Sequence, residues 1–211
     1  MVDEYGRPID SDRLLTLVTE LFLRTTPDVA AVAVPISSSG EIDLIAAPRG
    51  VKVTKTRNSH LAMMDAATDP AIRFVGGTKG GFIFTDFFFA TDAMYSVAKI
   101  LEMMAKTGRR LGDIDREVPR LAMARREVNC SWEHKGKVMR YVMKDSEGQR
   151  RDLVDGVTMY YPEAGGRVSA LLIPDKERPL FHISAEARDL ETAEAMAAAL
   201  EGKVIRWRDQ S

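Results

Sequence analysis

The chain has 211 residues, 45% of them apolar, and its 30 Lys and Arg nearly balance 31 Asp and Glu for a formal net charge of −1. That apolar share can build a real core in one large domain or two small ones, and the interspersed charges lack the basic face or stripe of a nucleic-acid binder. With no apolar run of transmembrane length, no charged-then-apolar signal and a single cysteine, Cys130, the chain is expected to be cytoplasmic, with neither membrane nor nucleic acid as a partner.

In chain order, "VDEYGRPID" reads as a strand end and turn entering a helix, as though something preceded Met1. Asp10 or Ser11 supplies the cap, and "RLLTLVTELFLR" follows with apolar residues at helical spacing. "DVAAVAVPISSS" is a buried strand delivering into a polar turn, "GEIDLIAAPRG" is helical, and "VKVTKT" alternates as a strand. "NSHLAMMDAA" is a short helix capped by Asn58 or Ser59, and "AIRFVGGTKGGFIF" is two strands joined by a glycine loop. Strands alternating with helices imply a βαβ arrangement around a largely parallel or mixed sheet. "TDAMYSVAKILEMMAKTGRR" is the clearest helix, with Ala93, Val97, Ile100, Leu101 and Met104 at three- and four-residue steps and Gly108 as its stop.

The polar "LGDIDREVPR", with Pro119, reads as a linker, and the boundary is drawn there to give domains 1–112 and 113–211. Beyond it, "EHKGKVMRYVMK" is a helix despite Gly136, and "DGVTMYY", "GRVSALLI" and "LFHISAEA" are three strands joined by the turns "PEAGG" and "PDKERP". A last helix, "LETAEAMAAALEG", ends at Gly202. The expected fold is α/β: a mixed-sheet unit followed by a smaller α+β domain, a three-stranded antiparallel sheet plus helices.

Two loops could carry chemistry. In "GGTKGGFIFTD", four glycines surround Thr78 and Lys79. Freed backbone N–H groups can cradle anions or sugar hydroxyls, and lysine adds a point charge. The pattern is neither a phosphate-binding P-loop nor a dinucleotide fingerprint, and on the residues alone a glycine-bearing hairpin or bulge is the plainer reading. In "IPDKERPLFHI", Lys176 and Arg178 project from a proline-bracketed tip suited to phosphate, although Asp175 and Glu177 would repel one and an ordinary charged hairpin is the plainer reading. The run "FIFTDFFF" is assigned to the core rather than to a base-stacking platform. Cys130, with His134 four residues on, is read as a small buried hydrophobe, and His60, His134 and His182 are too few for a dedicated zinc site.

The order of these pieces resembles the C-terminal half of the α-D-phosphohexomutases, the phosphoglucomutase and phosphomannomutase superfamily. "VDEYGRPIDSDRLLTLVTELFL" is similar to the segment after that family's magnesium-binding loop, and "AVAVPISSSGEIDLIAAPRGVKVTKT" to its third domain. "FVGGTKGGFIF" falls at the family's sugar loop, and "IPDKERP" at its phosphate loop, ahead of a last strand and helix resembling "LFHISAEARDLETAEAMAAAL". The resemblance implies that Thr78, Lys79 and Gly80 face the sugar and Lys176 and Arg178 a phosphate, the ligand being a hexose phosphate such as mannose or glucose 1-phosphate. Both loops depart from the family pattern. Thr78 and Gly80 stand at its glutamate and serine positions, and Ile173, Asp175 and Glu177 at its arginine, serine and threonine positions.

In that family the nucleophilic serine and the magnesium loop belong to the first two domains. The resemblance therefore implies a portion inactive by itself, with no cofactor of its own, magnesium arriving only with an upstream mutase domain. A narrower resemblance, carried by "GGTKGGFIF", "KGKVMR" and the altered final loop, is to the mutase-like tails of fused mannose-1-phosphate guanylyltransferases. It implies an upstream nucleotidyltransferase domain and, as an alternative function, a non-catalytic regulatory or structural module.

Overall fold

The computed structural model describes residues 1–161 and 168–210. It divides into two compact units, Met1–Arg120 and Leu121–Ser211. The expected turn "PEAGG" lies outside the described residues.

The first unit begins with α1 (Ser11–Thr25), whose cap Asp10 accepts a hydrogen bond from the Arg13 N–H. It is followed by β1 (Ala31–Pro35), α2 (Glu41–Ala46), β2 (Lys52–Thr56), α3 (His60–Ala66), β3 (Ile72–Gly76), β4 (Phe82–Phe84), α4 (Ala93–Thr107) and α5 (Leu111–Glu117). The sheet order is β2-β1-β3-β4, with β1 parallel to β2 and β3, and β4 antiparallel at the edge. It is mixed, as the strand–helix alternation predicts.

Because side chains alternate across a strand, the sheet buries two faces. Val32, Val34 and Phe74 pack with α1 residues such as Leu15, Val18 and Leu21, and with Ile100 and Met103 of α4. Ala31, Ala33, Val75 and Ile83 pack on Met63 of α3.

The segment expected to be a linker is α5. Its Leu111 and Ile114, with Val118 just beyond, enter the first core, and the unit therefore closes at Arg120 rather than at residue 112. The phenylalanine run also divides. Phe82 and Phe84 are core, as expected, but Phe87, Phe88 and Phe89 are 53–55% exposed. The chain leaves the sheet after Phe84, whose carbonyl accepts bonds from the Phe87 and Phe88 N–H groups, and strand alternation ends there.

The second unit is β5 (Ala122–Asn129), α6 (Trp132–Asp145), β6 (Arg151–Asp152), β7 (Val157–Tyr161), β8 (Val168–Pro174), β9 (Leu180–Ala187) and α7 (Leu190–Asp209). Its sheet is antiparallel, ordered β5-β9-β8-β7-β6, so it has five strands where three are expected. The two additional strands are the edges. β5 pairs with β9 over eight residues, yet carries Arg125, Arg126 and Glu127 in its middle, while β6 is two residues long. Edge strands commonly carry charge, and that erases the apolar signal. Val138 and Val142 of α6 and Ala193, Ala197, Leu200 and Val204 of α7 cover the second core. Helix α7 runs on through Gly202 to Asp209, bringing Trp207 onto Tyr141 with ring centroids 6.2 Å apart.

Candidate functional site

The first loop is a tight hairpin between β3 and β4. The Gly80 N–H donates to the Gly77 carbonyl at 3.1 Å, and the Gly77 N–H to the Gly81 carbonyl at 2.7 Å. Thr78 and Lys79 therefore occupy the two central turn positions. Gly80 has φ +86°, a conformation that side chains resist, and a Cβ on Gly76 would meet Leu15 Cδ1 at 2.2 Å. Turn geometry and close packing thus account for these glycines, while the tip faces solvent. Among the described residues, the N–H groups of Thr78 and Lys79 and the Lys79 ammonium have no partner.

The second loop joins β8 to β9 and is closed upon itself. Asp175 Oδ1 accepts from the backbone N–H groups of Glu177 and Arg178, each at 2.8 Å. Asp175 Oδ2 accepts from Arg178 Nε at 3.1 Å and from His182 Nε2 at 2.7 Å. The backbone hydrogen bond from Glu177, then His182 and the Arg178 backbone, hold the Asp175 carboxyl well below the usual carboxylate range. Bonding to Asp175 and the nearby Glu127 raise the already high Arg178.

Both cations of this loop sit in ion pairs. Lys176 Nζ lies 3.0 Å from Asp155, and Arg178 Nη2 lies 3.3 Å from Glu127, which is also 3.3 Å from His182 Nδ1. Beneath the loop, the buried Lys135 of α6 donates to the carbonyls of Asp175 and Arg178, both at 2.5 Å, and lies 3.7 Å above the Trp132 ring.

Thr78, Lys79 and Gly80 are thus together on one turn of the first unit, and Lys176 and Arg178 on one loop of the second. Lys135, Glu127 and Asp155, which the sequence reading leaves without a role, fix the second loop together with His182, weighed there only as a zinc ligand. One signal was present: a lysine in the first turn of a helix opposes the helix dipole, and so calls for a partner of its own. Cys130 is buried, and burial pushes its thiol up, while His134 Nδ1 meets Ser131 Oγ at 3.2 Å. Among the described residues no group of three His, Cys, Asp or Glu side chains is placed to hold a metal ion.

Residues 10–121, just over half of the chain, match the family described as phosphoglucomutase/phosphomannomutase, alpha/beta/alpha domain III. The chain belongs to the phosphoglucomutase/phosphomannomutase family. Among its relatives within the phosphohexomutases, a probable phosphoglucosamine mutase of Methanocella arvoryzae is 29% identical over 210 residues, 99% of this chain and 45% of that protein. A phosphoglucomutase/phosphomannomutase of Thermococcus kodakarensis is 28% identical over 193 residues, 91% of this chain and 41% of that protein. The chain thus spans less than half the length of these relatives.

Solved phosphohexomutases share the fold. A family protein of Burkholderia thailandensis superposes with a TM-score of 0.78 at 16% identity, over 100% of this chain and 44% of that one. An Aspergillus fumigatus N-acetylphosphoglucosamine mutase, solved with GlcNAc-6P and magnesium, gives 0.65 at 12% identity, over 97% and 49%. No helix among the described residues is long and apolar enough to cross a membrane.

Proposed function

We propose that this chain is a sugar-phosphate-recognising portion of a phosphohexomutase-family protein, serving hexose-phosphate and sugar-nucleotide metabolism. Its ligand is a hexose or hexosamine phosphate, held at Thr78, Lys79 and Gly80. The observation that carries this reading is the tip of the β3–β4 turn, where the backbone N–H groups of half-buried Thr78 and exposed Lys79 and the Lys79 ammonium have no partner among the described residues. Such groups supply charge-assisted bonds to a phosphoryl oxygen without first breaking others. Lys176 and Arg178 reach a phosphate only by giving up their ion pairs with Asp155, Asp175 and Glu127. Phosphoryl transfer by this chain would require a nucleophile and a metal supplied from outside its described residues.

The test is an NMR titration with glucose 1-phosphate and glucosamine 1-phosphate. Amides 76–82 shift and saturate at millimolar ligand, and Lys79→Ala weakens the response about tenfold. Unmoved amides at 76–82 overturn the reading.

The ion-paired state of Lys176 and Arg178 favours a second reading, a structural or regulatory module that binds no sugar phosphate, attached to mutase or nucleotidyltransferase domains. The relatives described above carry mutase names, which supports the mutase context over a guanylyltransferase one. Silence at both loops in the same titration would favour the module.

A further inference from the structure

The second loop holds an anion already, and the anion is its own. Two backbone N–H groups, the Arg178 guanidinium and the His182 imidazole converge on the Asp175 carboxylate at 2.7–3.1 Å. A turn stabilised by an aspartate needs only one carboxylate oxygen and the two amides. Here the second oxygen is also filled, by Arg178 and by a histidine seven residues away on β9. The Asp175 side chain is 13% exposed, although the Arg178 side chain over it is 55% exposed, so the carboxylate lies inside its ring of donors.

Lys135 holds the loop in this closed form. It ties down the two ends of the turn through the carbonyls of Asp175 and Arg178, while the Glu177 and Arg178 N–H groups between them both donate to Asp175 Oδ1. Successive N–H groups turned to one side form a concavity that suits an oxyanion. A carboxylate tethered in the same loop has an effective concentration far above that of any millimolar solute. Glu127, 3.3 Å from both Arg178 and His182, adds a second negative charge at the rim.

We propose that the Asp175 carboxylate is the built-in occupant of an oxyanion seat. The loop is closed to phosphate and phosphomonoesters in the protein as it stands, and becomes a phosphate site once that carboxylate is removed. This goes beyond the function proposed for residues 78–80 and does not depend on it, because the two loops report through different amides.

The experiment titrates inorganic phosphate into the whole chain and into Asp175→Ser, followed by NMR at the Glu177 and Arg178 amides and the His182 ring, with sodium chloride at matched ionic strength as control. In the wild type these signals show no saturable shift up to about 20 mM phosphate. In Asp175→Ser they shift and saturate, at least about tenfold more tightly than any wild-type response, and adding Arg178→Gln abolishes the effect. Should Asp175→Ser fail to fold, Asp175→Ala replaces it, which also vacates both backbone N–H groups, Arg178 and His182. Saturable binding by the wild type overturns the proposal, as does a folded variant of either kind that binds no phosphate.

Discussion

Arg13 shows how much one side chain can hold. Its guanidinium donates to Glu41 at 2.6 Å, to Asp115 at 2.7 Å, and to the carbonyls of Asp115, Val118 and Pro119 at 2.8–3.1 Å. It thereby ties α1 to α2 and to the chain leaving α5, with both Arg13 and Glu41 buried. Removing one partner of a buried pair leaves the other charged and unsatisfied, so Arg13→Ala is expected to cost about 3–5 kcal/mol in urea unfolding. Nothing local announces this role, since an arginine near the start of an amphipathic helix is ordinary. Four of its five bonds cross about a hundred residues of chain, a separation at which sequence pattern carries no information. Lys79 is the opposite case: a turn rich in glycine places its central residues at the tip, and the tip was legible.

At the scale of elements, apolar periodicity located what the cores swallow. Helix α1 and strands β1, β3, β7, β8 and β9 bury contiguous or regularly spaced apolar residues, and each was readable in the sequence; α4 was readable as a helix, but of its stripe Ala93, Val97, Ile100, Leu101 and Met104 only Ile100 is buried, and Val97 and Leu101 are 53% and 60% exposed. Two elements with charge in place of an apolar pattern, α5 and β5, were missed. α5 offers only Leu111 and Ile114 among charged neighbours, and β5 interrupts its apolar positions with Arg125, Arg126 and Glu127. The end of α7 was misplaced for another reason: Gly202 reads as a stop, but Val204 and Trp207 still find the second core and carry the helix past it. That glycine is a weak point within a continuous helix. A Cβ placed there meets nothing closer than Arg206 Nη1 at 3.6 Å. Gly202→Ala is therefore expected to stabilise the protein by about 0.5–1 kcal/mol in thermal or urea unfolding. A loss of stability would show that the glycine serves packing rather than interrupting the helix.

Each of the two units has its own sheet and its own apolar core. A chain beginning at Leu121 is expected to fold alone, because β5, its first strand, pairs with β9 of the same unit and its helices pack on that unit's core. The readout is a dispersed amide spectrum and a cooperative unfolding transition. A collapsed spectrum would mean that this core needs its neighbour. The phosphohexomutase character of the whole was legible because the order of strands, loops and helices survives at identities near 30%, whereas the residues at the two loops, where the family pattern is broken, had to be placed in space to be understood.

The self-closed loop also shapes how a ligand arrives. Both exposed cations there stand beside carboxylates, Lys176 beside Asp155 and Arg178 beside Glu127 and Asp175. The Lys79 turn presents a single positive charge without a counter-ion among the described residues. A phosphate dianion diffusing toward the protein is therefore met by cations already compensated at one loop and drawn to the other before it makes a contact, a bias that fades as salt shortens the reach of the field.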